Sequence, residues 1–301
     1  MTRIARDSAD EAADPRIGVL LEVLELEQLE INLFRGQSQD IGSPQVFGGQ
    51  VLGQALRAAF ATVAKERMVH SLHAYFLRRG DCHAPIVYNV DRSRDGKSFS
   101  SRRVTAIQHG EQIFNMAASF QVAESGLDHQ IPMPKVPPPE TLPDAMAPLR
   151  ALVKETPERL PERVRRFIAT PRPFEFRMVQ EINYLEPKKS PPERQVWFRA
   201  VGRLPDDEML HRCLLAYVSD FYLLDTATLP HGAPFLSTKL IMASIDHAVW
   251  FHRPLRVDEW LLYDLDSPSA SGARGFARAN VFARDGRLVA STAQEGLVRA
   301  T

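Results

Sequence analysis

Long apolar runs are missing from this 301-residue chain: no stretch approaches the ~20 apolar residues that a membrane-spanning helix requires. Cysteine is nearly absent too. Cys82 and Cys213 lie in different halves and match no metal-ligand spacing, which excludes a disulfide framework and points to a reducing compartment. Charge of one sign is lacking, because Lys plus Arg equals Asp plus Glu at 37 each. Nothing in that balance suggests nucleic acid or an anionic membrane surface, so the expected partner is a small molecule. The opening stretch, residues 1–17, is polar and acidic without the apolar centre of a signal peptide, and Val298-Arg299-Ala300-Thr301 is not a Ser-Lys-Leu type address. The expected location is the cytoplasm. Dinucleotide and phosphate loops of the G-x-G-x-x-G and G-K-[ST] types are missing, as is the G-x-S-x-G elbow of acyl-serine hydrolases. No cofactor and no metal are expected.

What is present is a faint internal repeat. His73-Ala74-Tyr75-Phe76 is echoed by His247-Ala248-Val249-Trp250 at 247 − 73 = 174. Tyr88-Asn89-Val90 is echoed by Tyr263-Asp264-Leu265 at 263 − 88 = 175, and Arg102 to Gly110 by Arg278 to Gly286 at 286 − 110 = 176. A period that long is no solenoid; it is what a duplicated and fused domain leaves, with one copy free to drift while the other keeps chemistry. The length agrees with two units of ~150 residues. Between them, residues 132–173 hold 11 of the 22 prolines. Proline lacks an N–H and fixes φ, so this segment is expected outside the sheets. It reads as a surface-hugging strap anchored by Phe167, Ile168 and Phe174, with one short helix near Leu149 to Lys154. The expected division is 1–131, a Pro-rich linker 132–173, and 174–301.

Each half reads as strand, helix, then several strands. In the first, a strand-like run Leu26 to Phe34 precedes a helix opening at Gly48, with Val51/Leu52, Ala55/Leu56, Ala59 and Val63 at helical spacing. Gly49 and Gly53, four apart, make one face of that helix small, which predicts close approach to a sheet. Strands are expected at His70–Leu77, Pro85–Asp91, Phe99–Gln108 and Gln112–Val122. The second half repeats the plan with strands at Phe174–Tyr184 and Arg194–Val201, a helix from about Asp207 to Leu224, then strands at Ala243–Phe251, Glu259–Asp266, Arg274–Ala283 and Arg287–Leu297. Asp285-Gly286 is the strongest hairpin signal. One helix against one antiparallel sheet, twice, is an α+β fold.

Four segments carry a resemblance to a known family: Val46-Phe47-Gly48-Gly49-Gln50, His70 to Arg78, Ser244 to Pro254, and Ala290 to Gly296. In order and spacing, over about Leu26 to Arg299, the chain resembles the acyl-CoA thioesterase II family. That resemblance implies two tandem hotdog domains, each an antiparallel sheet wrapped around a central helix. It implies hydrolysis of fatty acyl-coenzyme A to free acid and coenzyme A, by a water held by an Asp, a Thr or Ser, and a Gln. The matching positions are Asp220, Ser244 and Gln294, all in the second copy. Ser244 departs from the commoner Thr while keeping the hydroxyl. The resemblance also suggests a homodimer or larger homo-oligomer, with acyl-CoA as the substrate partner.

Asp220 stands out independently. Cys213, Tyr217 and Asp220 are four and three apart, so a helix continuing that far would put the carboxylate on its apolar face, where burial and the helix C-terminus both raise its pKa. A turn after a frayed helix is the alternative. Other polar residues carry weaker expectations. His70 and His73 have H-x-x-H spacing, but residues three apart on a strand point to opposite faces. His247 is either structural or in contact with substrate. Arg78, Arg79, Arg102, Arg103, Arg253 and Arg278 are candidates for the coenzyme A phosphates. Two other functions stay open: a hotdog hydratase or dehydratase of acyl thioesters, which would need a His base, and a non-catalytic acyl-CoA sensor.

Overall fold

The computed structural model describes residues 14–43, 45–155, 157–160, 162–181, 187–233 and 240–300. The first half runs α1 (Pro15–Leu24), β1 (Glu27–Glu30), β2 (Leu33–Gly36), α2 (Gly48–Phe60), β3 (Arg67–Phe76), β4 (Ile86–Asp95), β5 (Phe99–Gln108) and β6 (Glu111–Val122). Two linker helices follow, α3 (Ala147–Glu155) and α4 (Glu162–Ala169). The second half runs β7 (Phe174–Met178), β8 (Glu193–Ala200), α5 (Glu208–Val218), β9 (Leu240–Ser244), β10 (Asp246–Phe251), β11 (Leu261–Ser271), β12 (Arg274–Ala283) and β13 (Leu288–Ala300). The expected run Leu26–Phe34 is a short hairpin, β1 and β2, rather than one strand. Ala243–Phe251 is broken at Ile245 into β9 and β10. Of the expected strand Phe174–Tyr184, residues 182–184 lie outside the described residues.

The thirteen strands among the described residues belong to one antiparallel sheet, ordered β1-β2-β4-β5-β6-β3-β10-β13-β12-β11-β8-β7, with β9 added on β13. The halves meet where β3 pairs β10, His73 opposite Ala248 and Ala74 opposite His247. Each half wraps its sheet around one helix, in agreement with the α+β hotdog expectation. Leu52, Ala55, Leu56, Ala58 and Ala59 of α2 and Cys213 to Ala216 of α5 have no exposed surface. Burying a Leu of this kind contributes ~1.5–3 kcal/mol relative to leaving it in water. The carboxylate of Asp207 starts α5 by accepting the N–H groups of Met209 and Leu210 at 3.0 and 3.4 Å.

Pairing fixes the repeat more tightly than letters do. The bulge between Asp91 and Arg94 recurs between Asp266 and Ser269, at 266 − 91 = 175. The irregularity between Ala106 and Ile107 recurs between Val281 and Phe282, at 281 − 106 = 175. The offset is therefore 175 from β3 to β5, and it rises to 176 only after one residue is added in the β12–β13 turn. Aligning His73 with His247 or Arg102 with Arg278 is a one-residue slip, which would exchange inside for outside. His73 is exposed and His247 buried; Arg102 is buried and Arg278 exposed. The correct counterparts are Ala248 and Ala277.

Gly49 and Gly53 do face a close neighbour, but it is helix α5 and not a sheet. A Cβ on Gly49 would come within 2.1 Å of the Tyr217 carbonyl oxygen, and one on Gly53 within 3.2 Å of the Cys213 oxygen. The two central helices thus pack backbone to backbone, and the second half's helix lies directly under the first half's.

The linker is a strap. Gln130 bonds Gly286 O and Leu288 N, Trp197 donates its indole N–H to Pro137 O, and Met133, Val136 and Leu142 cover Trp197, Trp260, Leu262 and Phe282 on the outer face of the second half. Its described residues contain two α-helices where one was expected. Met146, Leu149, Leu160, Val164 and Ile168 form a small core between them.

Candidate active site

Helix α5 stops at Val218, six residues before the expected end. Ser219 caps it, and Tyr222 takes a left-handed φ of 64°, a conformation uncommon for a bulky residue. Asp220 sits in this turn and not on the helix's apolar face. The turn drives its side chain inward, to 7% exposure.

The three residues expected to form the site converge. Gln294 Nε2 lies 2.8 Å from Asp220 Oδ1 and 3.1 Å from Ser244 Oγ. Ser244 is the last residue of β9, and its partner across the ladder is Gly296, two positions along β13 from Gln294. The period-2 alternation of β13 puts Gln294 on the inner face. A fourth contact comes from the other half, where the Gly49 N–H at the start of α2 donates to Asp220 Oδ2 at 2.9 Å. Gly48 is equally close, since a Cβ there would stand 2.7 Å from the same oxygen.

Burial pushes the Asp220 carboxyl up from 3.8 to about 6, against the hydrogen bonds of Gln294, Gly49 and Ser244, which stabilise the charged form. The expected unfavourable dipole of α5 is thus accompanied by the favourable N-terminus of α2. Asp220 is ionised at neutral pH yet more basic than a surface carboxylate.

Behind these groups lies His247, with no exposed surface. Its Nδ1 is 3.1 Å from Gln294 Nε2, and its Nε2 is 2.9 Å from Ser219 Oγ. Burial lowers its pKa to about 3, so the ring is neutral. It does not line the cavity, which rules against the substrate-contact alternative for this residue. Tyr263 continues the network, donating to Ser219 O at 2.8 Å with Thr292 Oγ1 at 2.9 Å.

A cavity of about 450 Å³ opens onto Asp220 and Ser244. Its walls come from three sources: Phe47, Gly48 and Phe76 of the first half, Phe221 and Met242 of the second, and Met146, Leu149 and Phe167 of the strap. Arg78, Arg79 and Arg172 add positive charge. Among the other arginine candidates, Arg102 is internal, held by Thr62 and by Asp95 at 2.8 Å. Arg253 pairs with Asp128, and Arg278 with Asp266. Arg172 had no sequence signal, since only the folded strap brings it here. The His70/His73 pair departs from expectation: a bulge between Val69 and Ser71 turns both outward, His70 to Ser119 Oγ and His73 against Trp250. No cluster of metal-ligating side chains occurs among the described residues.

Residues 166–297 match the acyl-CoA thioesterase family model, and residues 35–121 match that of the acyl-CoA thioesterase N-terminal domain. Acyl-CoA thioesterase 2 of Haemophilus influenzae is 44% identical over 280 residues, covering 93% of this chain and 96% of the relative. The chain belongs to the acyl-CoA thioesterase family. Human acyl-coenzyme A thioesterase 8 is 40% identical, with 97% and 92% covered. The crystal structure of acyl-CoA thioesterase II TesB2 from Mycobacterium marinum is 45% identical with a TM-score of 0.76, covering 93% of this chain and 98% of that one. A hot dog fold protein of unknown function from Alicyclobacillus acidocaldarius, 20% identical with a TM-score of 0.72 over 93% and 97%, shares the fold.

Within this thioesterase the two halves are not chemically equivalent. In the first, Leu72 pairs with Ala118 at the positions that register assigns to His247 (247 − 72 = 175) and Gln294 (294 − 118 = 176). The first half holds an apolar pair where the second holds the polar network.

Proposed function

We propose that this protein hydrolyses fatty acyl-coenzyme A to free acid and coenzyme A, using a water held by Asp220, Ser244 and Gln294. The observation that carries this reading is one shielded carboxylate, bonded to Gln294 and Gly49, at the wall of a largely apolar cavity with arginines around it. Such a cavity suits an acyl chain, and the arginines suit a phosphorylated carrier.

Water donates one proton to Asp220 and accepts from the Ser244 hydroxyl, and Gln294 holds these two groups together through its Nε2. A lone pair is then directed at the thioester carbon, and Asp220 receives the proton as the C–O bond forms. The start of α2, where Gly48 lines the wall, supplies the positive end toward which the carbonyl oxygen develops charge. The leaving thiol has an ordinary pKa near ~8.5, so thiolate departs without a strong general acid. Ser244 acts through its hydroxyl rather than as a nucleophile.

The same reading assigns one site per chain, within 174–301, with 1–131 and the linker 132–173 completing its walls. A cytoplasmic homodimer or larger homo-oligomer goes with it, as β1 ends the sheet with an edge that pairs no other strand among the described residues. The hydratase alternative needs a histidine facing substrate, and His247 lies sealed behind Gln294. A non-catalytic sensor would gain stability from an apolar residue in place of Asp220. Thiol release measured across acyl chain lengths, for wild type and Asp220→Asn, is the test: release by the wild type and its loss in the variant are expected, and equal release would sink the reading.

A further inference from the structure

Gln294 Nε2 has two hydrogens and three acceptors within reach: Asp220 Oδ1 at 2.8 Å, Ser244 Oγ at 3.1 Å and His247 Nδ1 at 3.1 Å. The network decides which acceptors receive them. Ser219 Oγ donates its hydrogen to Ala216 O at 3.1 Å, so toward His247 Nε2, 2.9 Å away, it can only accept. His247 therefore carries its proton on Nε2, and its Nδ1 is a bare acceptor facing Gln294. One amide hydrogen goes to His247 and the other to Asp220.

An amide gripped by the carboxylate alone could swing its plane or exchange its ends. A second acceptor behind it removes that freedom. We propose that His247 is a positioning residue for hydrolysis: anchored by Ser219, it locks the Gln294 amide so that its nitrogen stays on Asp220 and beside Ser244.

The other half of the chain offers an internal control. At the positions equivalent to His247 and Gln294 it holds Leu72 and Ala118, both buried and directly paired. Histidine and glutamine are present together in one half and absent together in the other, as expected of a ring whose partner is the amide. A histidine kept for packing alone has no such dependence on its neighbour.

The inference rests on the hydrolytic reading above, and the test separates the two. Steady-state thiol release from decanoyl-CoA is measured between pH 5 and 8.5 for wild type, Asp220→Asn, His247→Leu, His247→Asn and His247→Gln, with folding checked by thermal unfolding. Leu removes the acceptor; Asn places a carbonyl oxygen near the Nδ1 position; Gln places its own near Nε2, out of reach of Gln294. Expected for His247→Leu is a fall in kcat of about 100-fold with KM within about threefold. Its acidic limb should move to higher pH, because the Asp220 carboxylate loses part of its support. The groups that face Asp220 from other elements, Gly49, Ser244, Tyr217 and Tyr263, are unchanged in all His247 variants. His247→Asn should recover kcat to within about tenfold of wild type and restore the limb.

The inference is overturned if His247→Leu keeps wild-type kcat and pH profile, or if Leu, Asn and Gln are equally slow with an unmoved limb, which is a packing role only. Should His247→Leu fail to fold, the Asn and Gln pair decides: Asn fast and Gln slow supports positioning, and equal rates reject it. Full activity in Asp220→Asn would instead reject the hydrolytic reading itself.

Discussion

The Gly49 amide of the first half donates to the Asp220 carboxylate of the second at 2.9 Å, and the same glycine lets α2 approach the Tyr217 carbonyl too closely for any side chain. One residue thus joins the packing of the halves to the electrostatics of the site. Gly49→Ala should fail on both counts, since backbone and not a flexible side chain stands 2.1 Å from the new Cβ. Overpacking costs ~1–3 kcal/mol, and the displaced helix withdraws its N–H from Asp220. Denaturant unfolding and thiol release should both show the loss; a variant of normal stability would mean that the helices can slide apart freely.

Asp220→Asn removes a shielded charge while keeping the shape. Turnover should fall by at least ~10²-fold, while stability at pH 7 should change by no more than ~1–2 kcal/mol, because the relief of desolvating a charge is offset where the amide NH2 replaces the acceptor of the Gly49 or Gln294 N–H. Parallel melting curves and kinetics check this, and a large drop in melting temperature would assign Asp220 a structural role.

Acid should silence the enzyme before it unfolds it. On the proposed mechanism the Asp220 carboxylate is the base, so kcat should fall about tenfold per pH unit below about 6. For stability the signs differ. The Asp220 carboxyl is raised from 3.8 to about 6, so the native state holds a proton that the unfolded chain has released, and this group's contribution declines as pH rises from about 4 to about 6. His247 is lowered from 6.5 to about 3; its contribution is complete above pH 6.5 and is lost as pH falls toward 3. A pH series of kcat alongside denaturant midpoints distinguishes the two, and a flat kcat from pH 7 to 5 would exclude Asp220 as the base.

Ser244 should be replaceable by threonine but not by alanine. Thr keeps the hydroxyl, so Ser244→Thr should stay within about threefold of wild type, whereas Ser244→Ala should lose ~10–10²-fold in kcat. Mass spectrometry of the working enzyme should find no acyl group on Ser244; a trapped acyl-serine would replace the water mechanism.

The strap should set chain length. Phe167, stacked under Arg172 with its guanidinium carbon 4.0 Å from the ring centroid, closes one wall of the cavity. Phe167→Ala should shift the preference toward longer acyl groups, each newly buried methylene contributing ~0.8 kcal/mol, about fourfold in kcat/KM. An unchanged chain-length profile would place the acyl group elsewhere.

Residue types and their order determined the strand and helix plan, the proline-rich strap and the candidacy of Asp220, because hydrophobic periodicity and turn chemistry are local properties of a chain; Ser244 and Gln294 became candidates only through the resemblance to the acyl-CoA thioesterase II family. The end of α5 was not legible: Tyr222 holds a left-handed φ through its packing, which no propensity announces. Nor was the true repeat offset, since letters match as readily at 174 or 176, whereas ladder registers and bulges admit only whole pairs on the correct face. Tertiary structure alone decided that Gly49 serves Asp220 from 171 residues away, that His247 stands behind Gln294, and that Arg102 is internal while Arg172 reaches the cavity. Sequence specifies which groups a chain can offer; whether two of them share one hydrogen bond depends on a distance between remote segments, and that is fixed only when the sheet closes around its helices.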